Sequence, residues 1–550
     1  MLDIQSILLF LFLLLLPTLR ANQIPSFDGI HGGVPSVASG VEGPRELFKE
    51  AFVNVTPTPG SLRYVQNTGV CETTPGVFSA SGYADIAVNQ SMWFWFFAAR
   101  NNATSAPLTL WTNGGPGSSS MLGLFQEHGP CRISLDGSSL NYNPYSWNNI
   151  SNMLYIDQPI GTGFSHGLMN VTGTKEAAEQ VWQMLQIFFN DTIFSQYKSN
   201  DFALWTESYG GHYGPGFAAY FLDANEKIAN GTLTGTPINL KTLGIGNGIT
   251  DPLTQYAEYT TYAATNSYIQ FASPSLISSV NASFYSSDGG CQQLIQACYS
   301  TSDNPASSAG EIQSVCAQAQ GVCNVVILDG LIGPGNRDVY DVRQTNPDPY
   351  PPPLNNLLDN QTLIGLIGAE SEWEETSNGV YTNFARTGDW MLNSAPDLAR
   401  VINSGVRTLI YDGDADYILN YDGVEAMVQA LLPSISISPS SFQFQNWTVS
   451  SHPAGLVRQS PSGNFTYVRV FGAGHEVPAY NYTNLQVGEA AFEFFNLTMG
   501  GRELVASPSP SPSSGGGKNS ALRVGGRGWG SVVGLFAVVF LGVVSGGLIL

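Results

Sequence analysis

Short apolar runs that end in glycine or polar turns recur along the chain. They are PLTLWTNGGPG (107–117), NMLYIDQP (152–159), DFALWTESYG (201–210), LKTLGIGNGI (240–249), VRTLIYDGDAD (406–416) and FTYVRVFGAGH (465–475). Their length and their β-branched and aromatic content predict strands. Between them, EAAEQVWQMLQIFFN (176–190) and HYGPGFAAYFLDANEKI (212–228) predict helices. Strands alternating with helices imply an α/β fold, a mostly parallel sheet with helices on both faces. Functional residues in such sheets collect at the carboxyl ends of the strands.

The rhythm fails between about residues 253 and 385. That stretch holds four clustered cysteines, NPDPYPPP (346–353) and many small polar residues. It reads as a cap insertion that divides the core into 22–252 and 386–500.

Both ends of the 550-residue chain carry a different pattern. ILLFLFLLLL (7–16) followed by a polar break and Ala21 predicts a signal peptide over 1–21. At the other end a Ser/Pro/Gly-rich linker (501–530) precedes an apolar tail (531–550). Small residues, a short spacer and a terminal apolar stretch predict a GPI-attachment signal in preference to a tail anchor, with Asn519 as the preferred attachment residue and Ser514 or Gly515 as alternatives. The expected location is the outer face of the cell membrane, with transfer to the cell wall as a further fate.

Composition supports the secretory reading. Only 11% of residues are charged, against roughly 25% in soluble domains. Thirteen Asn-x-Ser/Thr sequons offer sugar instead: Asn54, Asn89, Asn102, Asn149, Asn170, Asn190, Asn230, Asn281, Asn360, Asn446, Asn464, Asn481 and Asn496. Six cysteines in that compartment are expected to pair. Cys291, Cys298, Cys316 and Cys323 are spaced by 7, 18 and 7, which fits no zinc pattern, so no metal and no cofactor is expected. A net charge of −21 without basic runs argues against nucleic acid as a partner. Nothing in the sequence fixes the oligomeric state.

The chemistry centres on WTESYGGHYGPG (205–216). Ser208 between a strand and a helix fits the nucleophile elbow G-x-S-x-G, with Thr206 in the first glycine position and Gly210 in the second. A serine hydroxyl needs a base. In the order Ser, Asp, His only His452 and His475 lie far enough downstream, among His31, His128, His166, His212, His452 and His475. His452 sits in a polar loop, SSHPAG, whereas His475 follows a predicted strand and is the stronger candidate. The orienting acid is Asp412, Asp414 or Asp416, and spacing does not choose among them. NGGPGSSS (113–120) lacks the GK[ST] element of a phosphate loop. It suits an oxyanion hole, in which the N–H of Tyr209 is the second donor.

Taken in order, WTNGGPGSSS, YIDQPIGTGFS, TESYGGHY, GIGNGITDPLTQY, YDGDADYILN and VFGAGHEVP resemble the serine carboxypeptidase family of carboxypeptidase Y-like, α/β-hydrolase members, over about residues 60–495. The resemblance implies a triad of Ser208, Asp416 and His475 and an oxyanion hole of Gly115 and Tyr209. It implies that Asn113 and Glu207 bind the terminal carboxylate of a peptide substrate. It further implies nested disulfides Cys291–Cys323 and Cys298–Cys316, leaving Cys71–Cys131. Two carboxyl groups at hydrogen-bond distance do not both ionise readily, so Glu207 is expected to bind substrate as the neutral acid. An acidic pH optimum follows, bounded by ionisation of Glu207 above and protonation of His475 below.

Three positions depart from the family pattern: Thr206 for glycine, Ser118 for a bridging cysteine, and Glu476 where an apolar residue is frequent. An acyltransferase or esterase on the same scaffold, or an inactive binding protein, are the rival readings. Retention of Asn113 and Glu207 disfavours the first, and an intact triad disfavours the second.

Overall fold

The apolar runs pair edge to edge into one sheet. The computed structural model describes residues 57–505 apart from 271, 333–336 and 346–349. The expected signal peptide, Asn54, Asn519, the end of the linker and the apolar tail therefore lie outside the described residues.

The main strands are β1 (Leu62–Gln66), β2 (Ser79–Ala87), β3 (Gln90–Phe97), β4 (Leu108–Thr112), β5 (Asn152–Ile156), β6 (Phe202–Glu207), β7 (Leu240–Gly246), β8 (Arg407–Gly413), β9 (Gln445–Val449), β10 (His452–Gln459) and β11 (Phe465–Val470). They lie side by side as β1-β2-β3-β5-β4-β6-β7-β8-β11-β10-β9, and a short strand, His166–Gly167, pairs with β3. The centre, from β5 to β11, is parallel throughout. The two edges are antiparallel. The expected parallel arrangement thus describes the part of the sheet that carries the chemistry.

Central strands are buried on both faces, which is why they read as continuous apolar runs. Along β6, Phe202 and Leu204 join one apolar cluster while Ala203 and Trp205 join the other. Helices α1 (Thr174–Asn190) and α2 (Gly210–Ala229) cover the first of these faces.

One expectation needs correction. His452 does not sit in a loop; it opens β10 and pairs with Val449 across a tight turn. Ser450 and Ser451, at φ of 50° and 66°, make that turn. Two left-handed residues suit a two-residue hairpin, but the usual signature is Asn-Gly, so Ser-Ser concealed it.

Between Gly246 and Arg407 no described residue adds a strand to the main sheet. Helices α3 (Cys291–Ser302) and α4 (Ala309–Cys323) lie there. A spacing of seven puts both cysteines of each helix on one face, two turns apart. The helices are joined by Cys291–Cys323 and Cys298–Cys316, and Cys71–Cys131 forms the third bridge.

Of the twelve described sequon asparagines, ten are exposed; Asn149 and Asn496 are half-buried.

Candidate active site

β6 runs directly into α2, and Ser208 occupies the junction with a φ of 65°. A non-glycine residue held there costs of order 1 kcal/mol, and the surrounding contacts must impose it. They do: Ser208 N donates to Gly246 O at 2.9 Å, and Ser208 O accepts from Gly211 N at 2.9 Å and Ile249 N at 3.1 Å. Thr206 is accommodated because its partner position is empty. A Cβ on Gly210 would lie 2.6 Å from Thr206 Cβ, and Thr206 Oγ1 donates to Gly210 O at 2.9 Å. One of the two elbow positions must lack a side chain, and here Gly210 is sufficient.

The structure chooses among the three aspartates. His475 Nδ1 donates to Asp416 Oδ2 at 2.8 Å. Asp416 also accepts from Asn247 Nδ2 at 2.8 Å, Ile418 N at 3.1 Å and Leu419 N at 3.3 Å. Asp414 is engaged elsewhere, by the Tyr268 hydroxyl at 2.6 Å and Gly472 N at 2.8 Å. Asp412 is fully buried, and burial pushes its carboxyl well above the ordinary range. With Nδ1 donating to a carboxylate, His475 presents Nε2 to the cleft that it shares with Ser208. Burial disfavours the imidazolium, but the charge and hydrogen bond of Asp416 outweigh it and raise the His475 pKa.

Gly114 and Gly115 bring a backbone loop against the elbow. A Cβ on Gly114 would lie 2.3 Å from Tyr209 N and 2.9 Å from Ser208 Cβ, so only glycine permits this approach. Gly115 itself has a φ of 101°. The N–H groups of Gly115 and Tyr209 have no acceptor among the described residues.

Asn113 and Glu207 meet as expected, with Asn113 Nδ2 donating to Glu207 Oε1 at 3.1 Å. The amide is oriented by two donors on its oxygen, Trp111 Nε1 at 2.6 Å and Gly123 N at 3.1 Å. Glu207 Oε2 is buried without a hydrogen-bond partner. Burial first, then the negative neighbours Glu127 and Glu476, push the Glu207 carboxyl well above its usual range.

Glu127 was not foreseen. It is fully buried on the turn Gly123–His128, where it faces Glu207 and Asn113 without closing a hydrogen bond of ordinary geometry. Burial moves its carboxyl up to about 7. The available signal was a lone acid in MLGLFQEHG, an otherwise apolar run in a chain poor in charge. Asn247, fully buried behind Asp416, was also missed.

Among the described residues the other histidines lie elsewhere: His212 bonds Ser394 Oγ and Trp390 O, His166 faces Glu370, and His128 stacks on Trp147, while His31 lies outside the described residues.

An elbow serine, a histidine–aspartate pair and a glycine-lined donor loop at the ends of parallel strands define an α/β hydrolase of the Ser-His-Asp class. The chain belongs to the serine carboxypeptidase family, whose profile matches residues 70–495, and it is a serine-type carboxypeptidase. Carboxypeptidase S1 of Penicillium janthinellum is 42% identical over 418 residues, covering 76% of this chain and 95% of that protein. Carboxypeptidase Y homolog A of Uncinocarpus reesii is 36% identical over 446 residues, covering 78% and 75%. Among solved structures, Kex1, a prohormone-processing carboxypeptidase from Saccharomyces cerevisiae, aligns with a TM-score of 0.61 at 23% identity. That alignment covers 76% of this chain and 91% of Kex1, and it bears on the fold alone.

Proposed function

We propose that the enzyme releases the last residue of a peptide through an acyl-enzyme on Ser208. His475 Nε2 takes the Ser208 proton as the hydroxyl attacks the scissile carbonyl, and the N–H groups of Gly115 and Tyr209 hold the oxyanion. Collapse passes that proton to the departing amine and frees the C-terminal amino acid. Water, deprotonated by His475, then cleaves the ester.

The observation that carries this reading is the buried Asn113–Glu207 pair, 3.1 Å apart, in the cleft that holds Ser208 and His475. A protonated Glu207 donates to the terminal carboxylate beside the Asn113 amide. An ionised Glu207 would repel it. Activity on free peptides therefore falls as rising pH ionises Glu207, and falls again below the raised pKa of His475. Both limbs are displaced upward, so activity on free peptides peaks at higher pH than unshifted groups would give.

Replacement of Glu207 by Gln supplies a donor at every pH. In E207Q the alkaline limb of kcat/KM on a free peptide flattens, while an ester or amidated substrate shows no such change. An unchanged alkaline limb would remove the clamp from the mechanism.

The same proposal places the mature enzyme outside the cell, glycosylated and held by a lipid anchor at Asn519. Its support is the exposure of ten sequons, the three disulfides and the terminal sequence pattern. Release of the enzyme from cells by a phosphatidylinositol-specific phospholipase tests the anchor, and retention on the cells counts against it.

A further inference from the structure

The loop Gly114–Ser120, which carries the Gly115 N–H, does little to hold its own shape. Gly115 and Gly117 have φ of 101° and 93°, and Gly114 lacks a side chain as well. Among the described residues its one internal backbone bond runs from Ser118 N to Gly114 O, at 3.1 Å. Glycines widen the range of conformations a free loop can visit. An oxyanion donor, by contrast, must stay within about 0.5 Å of its productive position. Something outside the loop has to fix it.

Two groups do so. Asp157, fully buried just beyond β5, accepts from Ser119 Oγ at 2.7 Å and Ser120 N at 2.8 Å. Its other oxygen accepts from Phe164 N at 2.8 Å. The second group is the stretch 373–377, which lies outside the helices and named strands. Trp373 Nε1 donates to Ser119 Oγ at 2.9 Å, and Ser119 N donates to Glu375 O at 2.8 Å. Thr376 Oγ1 and Ser118 Oγ share a hydrogen bond at 2.9 Å, and Ser377 N donates to Gly117 O at 2.9 Å. Gly117, Ser118 and Ser119 are thus each held from outside the loop.

We propose that Trp373 and Thr376 are positioning residues, which hold the Gly115 N–H where the oxyanion forms, an assignment that rests on the acyl-enzyme reading above. Neither lines the cleft; Glu375, between them, does. Trp373 and Thr376 therefore act through the loop and not on the substrate. Both are buried, at 4% and 8% exposure, so water does not replace their hydrogen bonds readily.

A support is useful only if it is itself fixed. Ser371 Oγ donates to Phe164 O at 2.7 Å, on the residue whose N–H is bonded to Asp157. The Asp157, Phe164, Ser371, Trp373 and Ser119 contacts therefore close a ring around the loop. At the other end Ser377 Oγ accepts from Val380 N at 3.4 Å and caps the helix Asn378–Thr387. That helix meets the loop directly: a Cβ on Gly117 would lie 2.9 Å from Val380 Cβ. The segment that interrupts the sheet thus completes the oxyanion hole from a distance.

The test uses the full-length enzyme and its variants W373F, T376V and T376S. Loss of one buried hydrogen bond corresponds to about fivefold, so kcat should fall by that factor in W373F and T376V, on an ester and a peptide alike. T376S keeps the hydroxyl and should retain wild-type kcat. The second readout is inhibition by an N-blocked peptide aldehyde and by the corresponding alcohol. Ser208 Oγ adds to the aldehyde carbon, the carbonyl π pair moves onto oxygen, and the serine proton rests on His475. The adduct is a tetrahedral oxyanion with no leaving group, whereas the alcohol cannot react. Aldehyde affinity should fall about fivefold in W373F and T376V, and alcohol affinity should not change. A variant that merely folds less well would lose kcat with both inhibition constants intact. Unchanged aldehyde affinity in both variants, or an equal loss in T376S, overturns the positioning role and leaves the acyl-enzyme standing. A wild-type enzyme that binds the aldehyde no more tightly than the alcohol overturns the oxyanion hole itself.

Discussion

Two sides of the site hold buried carboxyl groups in opposite settings, Asp416 behind His475 and Glu207 in the wall of the cleft. At one end Asp416, 0% exposed, receives four donors: His475 Nδ1, Asn247 Nδ2 and the N–H groups of Ile418 and Leu419. At the other end Glu207, 2% exposed, receives one amide donor from Asn113 and faces a second carboxyl, Glu127. Burial is nearly the same, so burial does not decide what each acid does. The neighbours do. Convergent donors favour the anion, whereas a facing acid favours the protonated form of its neighbour; in the proposed mechanism the first supports an imidazolium and the second meets a substrate carboxylate.

The comparison is broken most severely at Asp416. D416N should lower kcat by about 10⁴, the scale of the corresponding change in a chymotrypsin-type triad. The loss should be equal on an ester and on a free peptide, since both need His475. A loss confined to peptides would mean that Asp416 serves binding and not the base. A smaller effect is expected behind it. N247A removes one of the four donors on Asp416 and an acceptor for Gly413 N, with Asn247 Oδ1 3.1 Å from that nitrogen. One hydrogen bond to a charged acceptor corresponds to about tenfold in kcat, again on both substrates. Steady-state kinetics with unaltered kcat would show that three donors suffice.

The Asp416 end was legible in the sequence to the extent that strands announce it. VRTLI and FTYVRVF are continuous apolar runs because β8 and β11 are buried on both faces, and each ends at a functional residue. Spacing left Asp412, Asp414 and Asp416 open, because which acid points at His475 depends on how the chain leaves β8. The resemblance implied Asp416, and in the structure it is Asp416 that accepts from His475 Nδ1. The Glu207 end was only half legible. Asn113 and Glu207 lie on strand ends within recognisable motifs, but Glu127 lies on a wide helical turn, fourteen residues beyond Asn113, with no local pattern to mark it. Glu375 comes from the segment between Gly246 and Arg407, where apolar periodicity is weak, and reaches the cleft through contacts with Ser118 and Ser119. Thr206 raised a question about the elbow that one-dimensional spacing could not answer, because the answer lies in the missing side chain of Gly210. Antiparallel edges escaped notice for a similar reason: Ser450–Ser451 performs a turn that Asn-Gly usually signals.

The subtlest test separates the two ends by a shift in pH and not by a loss of rate. Glu207 is held above its usual range by burial and next by the charge of Glu127. E127Q removes that charge while keeping a polar side chain of similar size. The pKa of Glu207 should then fall, and the alkaline limb of kcat/KM on a free peptide should move to lower pH. The sign follows because only the protonated acid donates to the substrate carboxylate, and a lower pKa deprotonates it sooner as pH rises. The acid limb belongs to His475 and should barely move, since the influences on it are burial, Asp416, Glu476 and Asp338. Ester hydrolysis, which has no terminal carboxylate to bind, should keep its profile. A pH–rate series on both substrates reads all three at once. If the alkaline limb stays in place, or moves upward, Glu127 does not share in the protonation of Glu207, and the contrast between the two ends reduces to burial and a single amide.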